Sequence, residues 1–148
     1  MVDETLCRLF KGTGPFAATL CGLIDLEDHT LRLVGAGSPP PLRVAADGTY
    51  EIIDCTGVPL GYMEDLPHDE VTINVQPGDT MLFFSDGATE VSLGEDDYLD
   101  TEGLIEILQR LGYPRSGVSL ETVERDILKR SDRIRFDDDL TFFEVRLM

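Results

Sequence analysis

Lysine is almost absent from this chain; Lys11 and Lys129 are the two. Twelve Lys+Arg stand against 29 Asp+Glu in 148 residues, for a formal charge of −17 and an isoelectric point near 4.2. Both a nucleic-acid backbone and an anionic membrane surface demand a basic patch, so neither is expected as the main partner. The acidity fits a basic protein partner or a site that collects cations. Cysteine is scarce as well. Cys7, Cys21 and Cys55 are odd in number and form no C-x-x-C pair, which argues against a disulfide framework. They point to a reducing, cytoplasmic setting with thiols buried as small apolar groups. No apolar run approaches the ~18 residues of a membrane span. No cationic stretch leads into an apolar one, so no secretory leader is expected. No Ser-His or Cys-His arrangement suggests a protein nucleophile.

What is present suits one folded domain. Apolar residues make up 42% of the chain, too many for wholesale disorder. A chain of this length buries roughly 68–70% of its unfolded surface, so it needs neither a metal nor a disulfide staple.

Residues 1–11 read as the last turns of a helix, with Leu6, Leu9 and Phe10 on one face and Gly12 as its stop. No capping run precedes it, so the chain reads as cut from something longer. Phe16 to Leu26 and Leu31 to Val34 read as strands. Gly35 to Pro41 is a rigid extended connection, because three prolines cannot donate to a ladder. Leu42–Val44 and Tyr50–Ile53 flank Asp47-Gly48, a hairpin signal. Val71 to Val75 alternates cleanly, and Pro77-Gly78-Asp79 turns the chain. Met81-Leu82-Phe83-Phe84 is continuously apolar, as in a central strand covered on both faces. Two helices follow. Thr101 is the candidate cap of the first, with Leu104, Ile105, Leu108 and Leu111 as its stripe and Gly112 as its stop. Ser119 caps the second, whose stripe is Leu120, Val123 and Ile127. A strand from Leu140 to Leu147 closes the chain. The fold class is therefore α+β, mainly antiparallel, with a late helix pair.

Two acidic spots stand at the ends of apolar strands. Ser85-Asp86-Gly87 follows Met81–Phe84, and Asp137-Asp138-Asp139 precedes Leu140–Phe143. If the strands are neighbours, these carboxylates converge and invite a hard divalent cation such as Mg²⁺ or Mn²⁺. The competing reading is structural, since S-D-G is a common turn and Asp runs often sit in solvent. Gly87 fits a tight turn. Glu95-Asp96-Asp97 with Asp100 and Glu102 lacks the glycine and glutamate register of a calcium loop and reads as a solvated loop. His29 and His68 read as surface histidines.

The sequence resembles the SpoIIE-like branch of the PPM metal-dependent Ser/Thr protein phosphatases, the protein phosphatase 2C-like superfamily. Phe16-Ala17-Ala18-Thr19-Leu20 is similar to the family's F-x-T-A-type strand. Gly35-Ala36-Gly37-Ser38-Pro39-Pro40-Pro41 resembles its A-G-H-P-P segment. Pro77-Gly78-Asp79 through Ser85-Asp86-Gly87-Ala88-Thr89-Glu90 resembles its G-D-x-L-hhh-[ST]-D-G-x-T-E block. Asp138-Asp139-Leu140-Thr141 is similar to its closing D-D-[IL]-T. The resemblance implies an α-β-β-α sandwich, of which residues 1–148 form the C-terminal part. It implies two Mn²⁺ or Mg²⁺ ions whose bound water attacks a phosphoserine or phosphothreonine phosphorus in line. Asp86 and Asp138 are its implied metal ligands, and Asp139 is an outer-shell group or substitute ligand. Thr141 supports the strand end. The implied partner is a phosphorylated protein such as an anti-anti-sigma factor, with a sensor or response-regulator receiver domain upstream.

Two departures stand out. Ser38 occupies the place of the family's usual His. Nothing in the chain matches the G-D-[VS]-S-G-type segment that carries the family's other metal-binding acids. The chain alone is therefore expected to hold the metals weakly, and a homodimer or higher assembly is expected to cover edges that the missing strands leave open. The rival expectation is a catalytically degenerate phosphatase fold that binds a signalling partner.

Overall fold

The computed structural model describes residues 5–8, 16–63, 68–95, 97–115 and 117–148. Its strands are β1 (Thr19–Asp25), β2 (Thr30–Ala36), β3 (Leu42–Val44), β4 (Tyr50–Ile52), β5 (Glu70–Asn74), β6 (Thr80–Phe84), β7 (Val91–Gly94), β8 (Asp97–Leu99) and β9 (Phe142–Arg146). Its two long helices are α1 (Thr101–Leu111) and α2 (Leu120–Arg130). Most of the opening helix expected over residues 1–11 lies outside the described residues; Thr5 to Arg8 are helical.

Two antiparallel sheets stack on each other. One runs β1-β2-β5 and the other β4-β3-β6-β9. The period-two alternation of β6 decides what fills each layer. Met81 points between the sheets and joins Leu31, Leu33, Ile53, Cys55 and Val75 in one buried cluster, with Phe83 packed against it. Leu82 and Phe84 point the other way and join Leu104, Ile107, Leu108, Val123 and Ile127 under the helix pair. The order of layers is thus sheet, sheet, helices. This accounts for the unbroken apolar run Met81–Phe84 within β6, whose side chains meet a packed layer on each face of the strand.

The helix ends follow their chemistry, with one shift. Asp100, not Thr101, caps α1, its side chain accepting from the Gly103 amide at 2.8 Å. Gly112 closes α1 at φ 72°, where a side chain would be strained. Ser119 caps α2 through the Thr122 amide. Ile107, rather than Ile105, is fully buried on α1. The cysteines also depart from expectation. Cys7 and Cys55 are buried, but Cys21 is exposed on β1. Burial, reinforced by Asp54, pushes the Cys55 thiol above its ordinary range.

Just before β6, the buried Asp79 side chain accepts three hydrogen bonds and forms an ion pair with Arg43. Arg43 donates from Nε at 2.9 Å with its Nη2 2.8 Å from the same carboxylate, and the amides of Ala46 and Gln76 donate at 3.1 and 3.0 Å. This ties the turn before β6 to β3.

Candidate functional site

The opposite end of β6 carries the acidic residues. β6 pairs antiparallel with β9, and the last register pair is Phe84 with Phe142. The antiparallel pairing brings the exit of β6 to the entrance of β9. Ser85 extends the ladder one step, its amide donating to the Thr141 carbonyl at 3.1 Å. The Ser85 hydroxyl donates to the Asp139 carbonyl at 2.8 Å and accepts from the Thr141 amide at 2.9 Å. The chain then tightens into a 3₁₀ turn over Asp86–Ala88. The amides of Thr89 and Glu90 both donate to the Asp86 carbonyl at 2.8 Å. Gly87 is buried, and the backbone of Asp138 and Asp139 packs directly on it.

The structure thus brings the Asp86 and Asp138–Asp139 segments together. All three side chains are exposed. Asp86 Oδ1 accepts from the Gly87 amide at 3.0 Å, and Asp138 Oδ1 accepts from the Asp139 amide at 2.7 Å. Among the described residues, no Lys or Arg forms an ion pair with any of the three. Like charges left close together without a cationic neighbour repel, and an outside cation relieves that repulsion.

A groove of about 750 Å³ opens beside Asp138. Glu90, Asp100 and Asp137 line it along with Asp138, and among the described residues none that line it is basic. Its lip carries Tyr98, which is 58% exposed. Tyr98 belongs to the β7–β8 hairpin, whose second strand falls in the acidic stretch expected to be a solvated loop. Its strands have four and three residues, too short for a periodic signal. The sign that could have revealed it is Gly94-Glu95, where two consecutive positive φ values, 96° and 51°, make a sharp reversal.

The profile of the SpoIIE family (Stage II sporulation protein E) matches residues 1–148, the whole chain. The chain belongs to the SpoIIE family.

Two relatives and one solved structure are similar to it. Protein IcfG of Synechocystis sp. is 23% identical over 124 residues, which is 83% of this chain and 19% of IcfG. Phosphoserine phosphatase RsbU of Bacillus subtilis is 23% identical over 123 residues, 82% of this chain and 36% of RsbU. This SpoIIE-family chain therefore spans about a fifth to a third of the curated relatives it matches. The SiaA-PP2C domain of Pseudomonas aeruginosa superposes with a TM-score of 0.77 at 14% identity, covering 99% of this chain and 58% of that one. The fold is that of PP2C-type domains, represented here by its two sheets and late helix pair.

Whether this SpoIIE-family chain fits divalent metal by itself is a question of donor number. Among the described residues, no group of three or more His, Cys, Asp or Glu side chains is placed to hold an ion. Hard cations of this class take six or more oxygens, and Mg²⁺ with few protein ligands stays mostly hydrated. The donor set present is incomplete for a two-metal centre.

The remaining candidates contribute nothing at this end of β6. Ser38 donates its hydroxyl to the Thr19 carbonyl at 3.1 Å, tying the end of β2 to the start of β1. His68 is not a surface histidine, since both ring nitrogens are buried, with Nδ1 near Gly57. His29 is an exposed turn residue with φ 52°. Beyond these candidates, Arg133 forms an ion pair with Asp132 at 3.4 Å and Arg130 with Glu106 at 3.5 Å.

Proposed function

We propose that residues 1–148 are the C-terminal part of a metal-dependent serine/threonine protein phosphatase domain, acting on phosphoserine or phosphothreonine of a regulatory protein. The observation that carries this reading is the juxtaposition of Asp86 with Asp138–Asp139 by the β6–β9 pairing. In this reading Asp86 and Asp138 are metal ligands and Asp139 is an outer-shell group or substitute ligand. The ligands still needed come from protein outside this chain, in keeping with the incomplete donor set.

The relatives support the activity and the metals. RsbU is named a phosphoserine phosphatase. One similar structure is the phosphatase domain of SpoIIE from Bacillus subtilis, Mn presoaked, with a TM-score of 0.64 and 16% identity. Another is RsbX in complex with magnesium, with a TM-score of 0.56 and 15% identity. Mn²⁺ or Mg²⁺ is accordingly the metal class proposed.

The partner proposed is a phosphorylated regulatory protein of the anti-anti-sigma type. The acidic groove beside Asp138 suits a substrate with basic residues near its phosphate. The proposed setting is the cytoplasm, downstream of a sensor or receiver domain. Among the described residues no helix is long and apolar enough to cross a membrane. A homodimer belongs to the same proposal: Leu23 and Phe143 stay 55% and 60% exposed on the edge strands β1 and β9.

The test uses the full-length protein that contains this chain, with a phosphorylated candidate substrate and added Mn²⁺. Release of phosphate that requires Mn²⁺ and disappears in Asp86→Asn supports the phosphatase. Tight binding of the phosphoprotein with no release under any metal supports the degenerate binding module instead.

A further inference from the structure

The Ser85 side chain precedes the turn that carries Asp86 and bonds across to Asp139 and, just past the other acidic segment, to Thr141. Its hydroxyl donates to the Asp139 carbonyl at 2.8 Å while accepting from the Thr141 amide at 2.9 Å. Its own amide adds a third bond, to the Thr141 carbonyl at 3.1 Å. The regular ladder begins only at Phe142, so the residues just before it need another restraint. Residues 132–135 and 137–139 are exposed and have little packing to hold them. Asp86, Asp138 and Asp139 carry like charge, and among the described residues no Lys or Arg forms an ion pair with them. A tether is therefore required if the two segments are to stay together without a bound ion.

We infer that Ser85 is a positioning residue for the Asp138–Asp139 segment, its hydroxyl pinning residues 139–141 beside the turn that carries Asp86. It touches neither metal nor substrate in this role. It acts through backbone groups, which is why no carboxylate is needed at position 85 and why its partners lie 54 and 56 residues away. The inference rests on the metal-dependent phosphatase reading, but its readout does not depend on turnover. A threonine carries the same hydroxyl on the same carbon, so it should preserve the tether, whereas alanine deletes both side-chain bonds and leaves the ladder bond.

The experiment compares the full-length protein with its Ser85→Ala and Ser85→Thr variants. Mn²⁺ binding is titrated without substrate by following free Mn²⁺ in its paramagnetic resonance signal, and exchange of the Thr141 amide is followed in parallel. Loss of two neutral hydrogen bonds should weaken Mn²⁺ binding about tenfold and speed Thr141 exchange by a similar factor. Ser85→Thr should stay within about twofold of the parent, since its hydroxyl keeps both bonds. Equal Mn²⁺ affinity in the parent and Ser85→Ala, or none in either, overturns the inference, as does failure of Ser85→Thr to restore binding. Mn²⁺ binding that falls in Ser85→Ala, in a parent that releases no phosphate from any phosphoprotein, supports the tether and defeats the phosphatase reading alone.

Discussion

A Cβ atom on Gly87 would fall 2.6 Å from the carbonyl oxygen of Asp139. Real side chains do not approach a backbone oxygen so closely, so the two acidic segments meet at this distance only because residue 87 has no side chain. The tight turn expected at Gly87 is present as the 3₁₀ turn Asp86–Ala88, with Asp86 exposed. The φ of Gly87 does not lie in the left-handed region, and close approach is the actual requirement.

Gly87→Ala should therefore act at the site more than on the fold. Overpacking of this kind costs about 1–3 kcal/mol, because the Asp138–Asp139 backbone must retreat. The melting temperature should drop by several degrees while Mn²⁺ affinity in the full-length protein falls more than tenfold. Retention of wild-type Mn²⁺ affinity would show that the spacing of the two segments does not matter.

The isolated 148-residue chain should bind Mn²⁺ or Mg²⁺ weakly and hydrolyse phosphate esters poorly. The reason is donor count, since no group of three suitable side chains converges among the described residues. Calorimetric titration should give a dissociation constant on the order of millimolar, the weak end for oxygen-ligand sites. Robust Mn²⁺-dependent turnover by the isolated chain, abolished by Asp86→Asn, would sink this expectation.

Much of the architecture was legible because burial leaves a pattern. The run Met81–Phe84 announced a strand covered on both faces, and the structure places Met81 in the inter-sheet cluster and Leu82 under the helices. Asp47-Gly48 announced a hairpin, and β3 pairs with β4 around it. Errors arose where two neighbouring residues carry the same chemistry. Asp100 and Thr101 can both cap a helix, and only the backbone angles select Asp100. Ile105 and Ile107 are both apolar; Ile105 packs against the helix-side core as expected but stays half-buried, whereas Ile107, left out of the stripe, is fully buried. At the candidate site, the two acidic segments could be named from sequence, but the means of holding them together could not. The Ser85 hydroxyl bonds across 54 residues, and no local pattern encodes a contact at that separation.

Asp79 supplies a control at the far end of the same strand. It is 2% exposed and accepts from Arg43 and two amides. Asp79→Ala would leave the Arg43 guanidinium facing a buried gap and two amides without acceptors. Breaking one partner of a buried, hydrogen-bonded pair costs about 3–5 kcal/mol. The site residues lie about 20 Å further along the extended chain. Denaturant unfolding should show the full loss, while Mn²⁺ affinity of the folded fraction stays within twofold of the parent. A tenfold loss of affinity would mean that the two ends of β6 are coupled.

Tyr113 gives the protein an alkaline limit. Its side chain is 3% exposed, and its hydroxyl donates to Glu144 at 2.6 Å. Burial first, and the carboxylate of Glu144 second, push the phenol well above its ordinary range. Burial shifts Tyr50, whose hydroxyl donates to the Tyr113 carbonyl, in the same direction. The folded state thus favours the neutral phenol. Its contribution is complete below the unfolded pKa near 10 and is lost progressively as pH rises above that value, because the unfolded chain then releases the proton more readily. Each such group adds a slope of about 1.4 kcal/mol per pH unit above pH 10. Urea unfolding at pH 8 and pH 11 should therefore show a steeper loss for the parent than for Tyr113→Phe. The variant should be less stable at pH 8 by about 1.5–3 kcal/mol, the usual worth of a hydrogen bond to a charged group. Parallel losses in the two proteins between pH 8 and pH 11 would assign the alkaline limit to other groups.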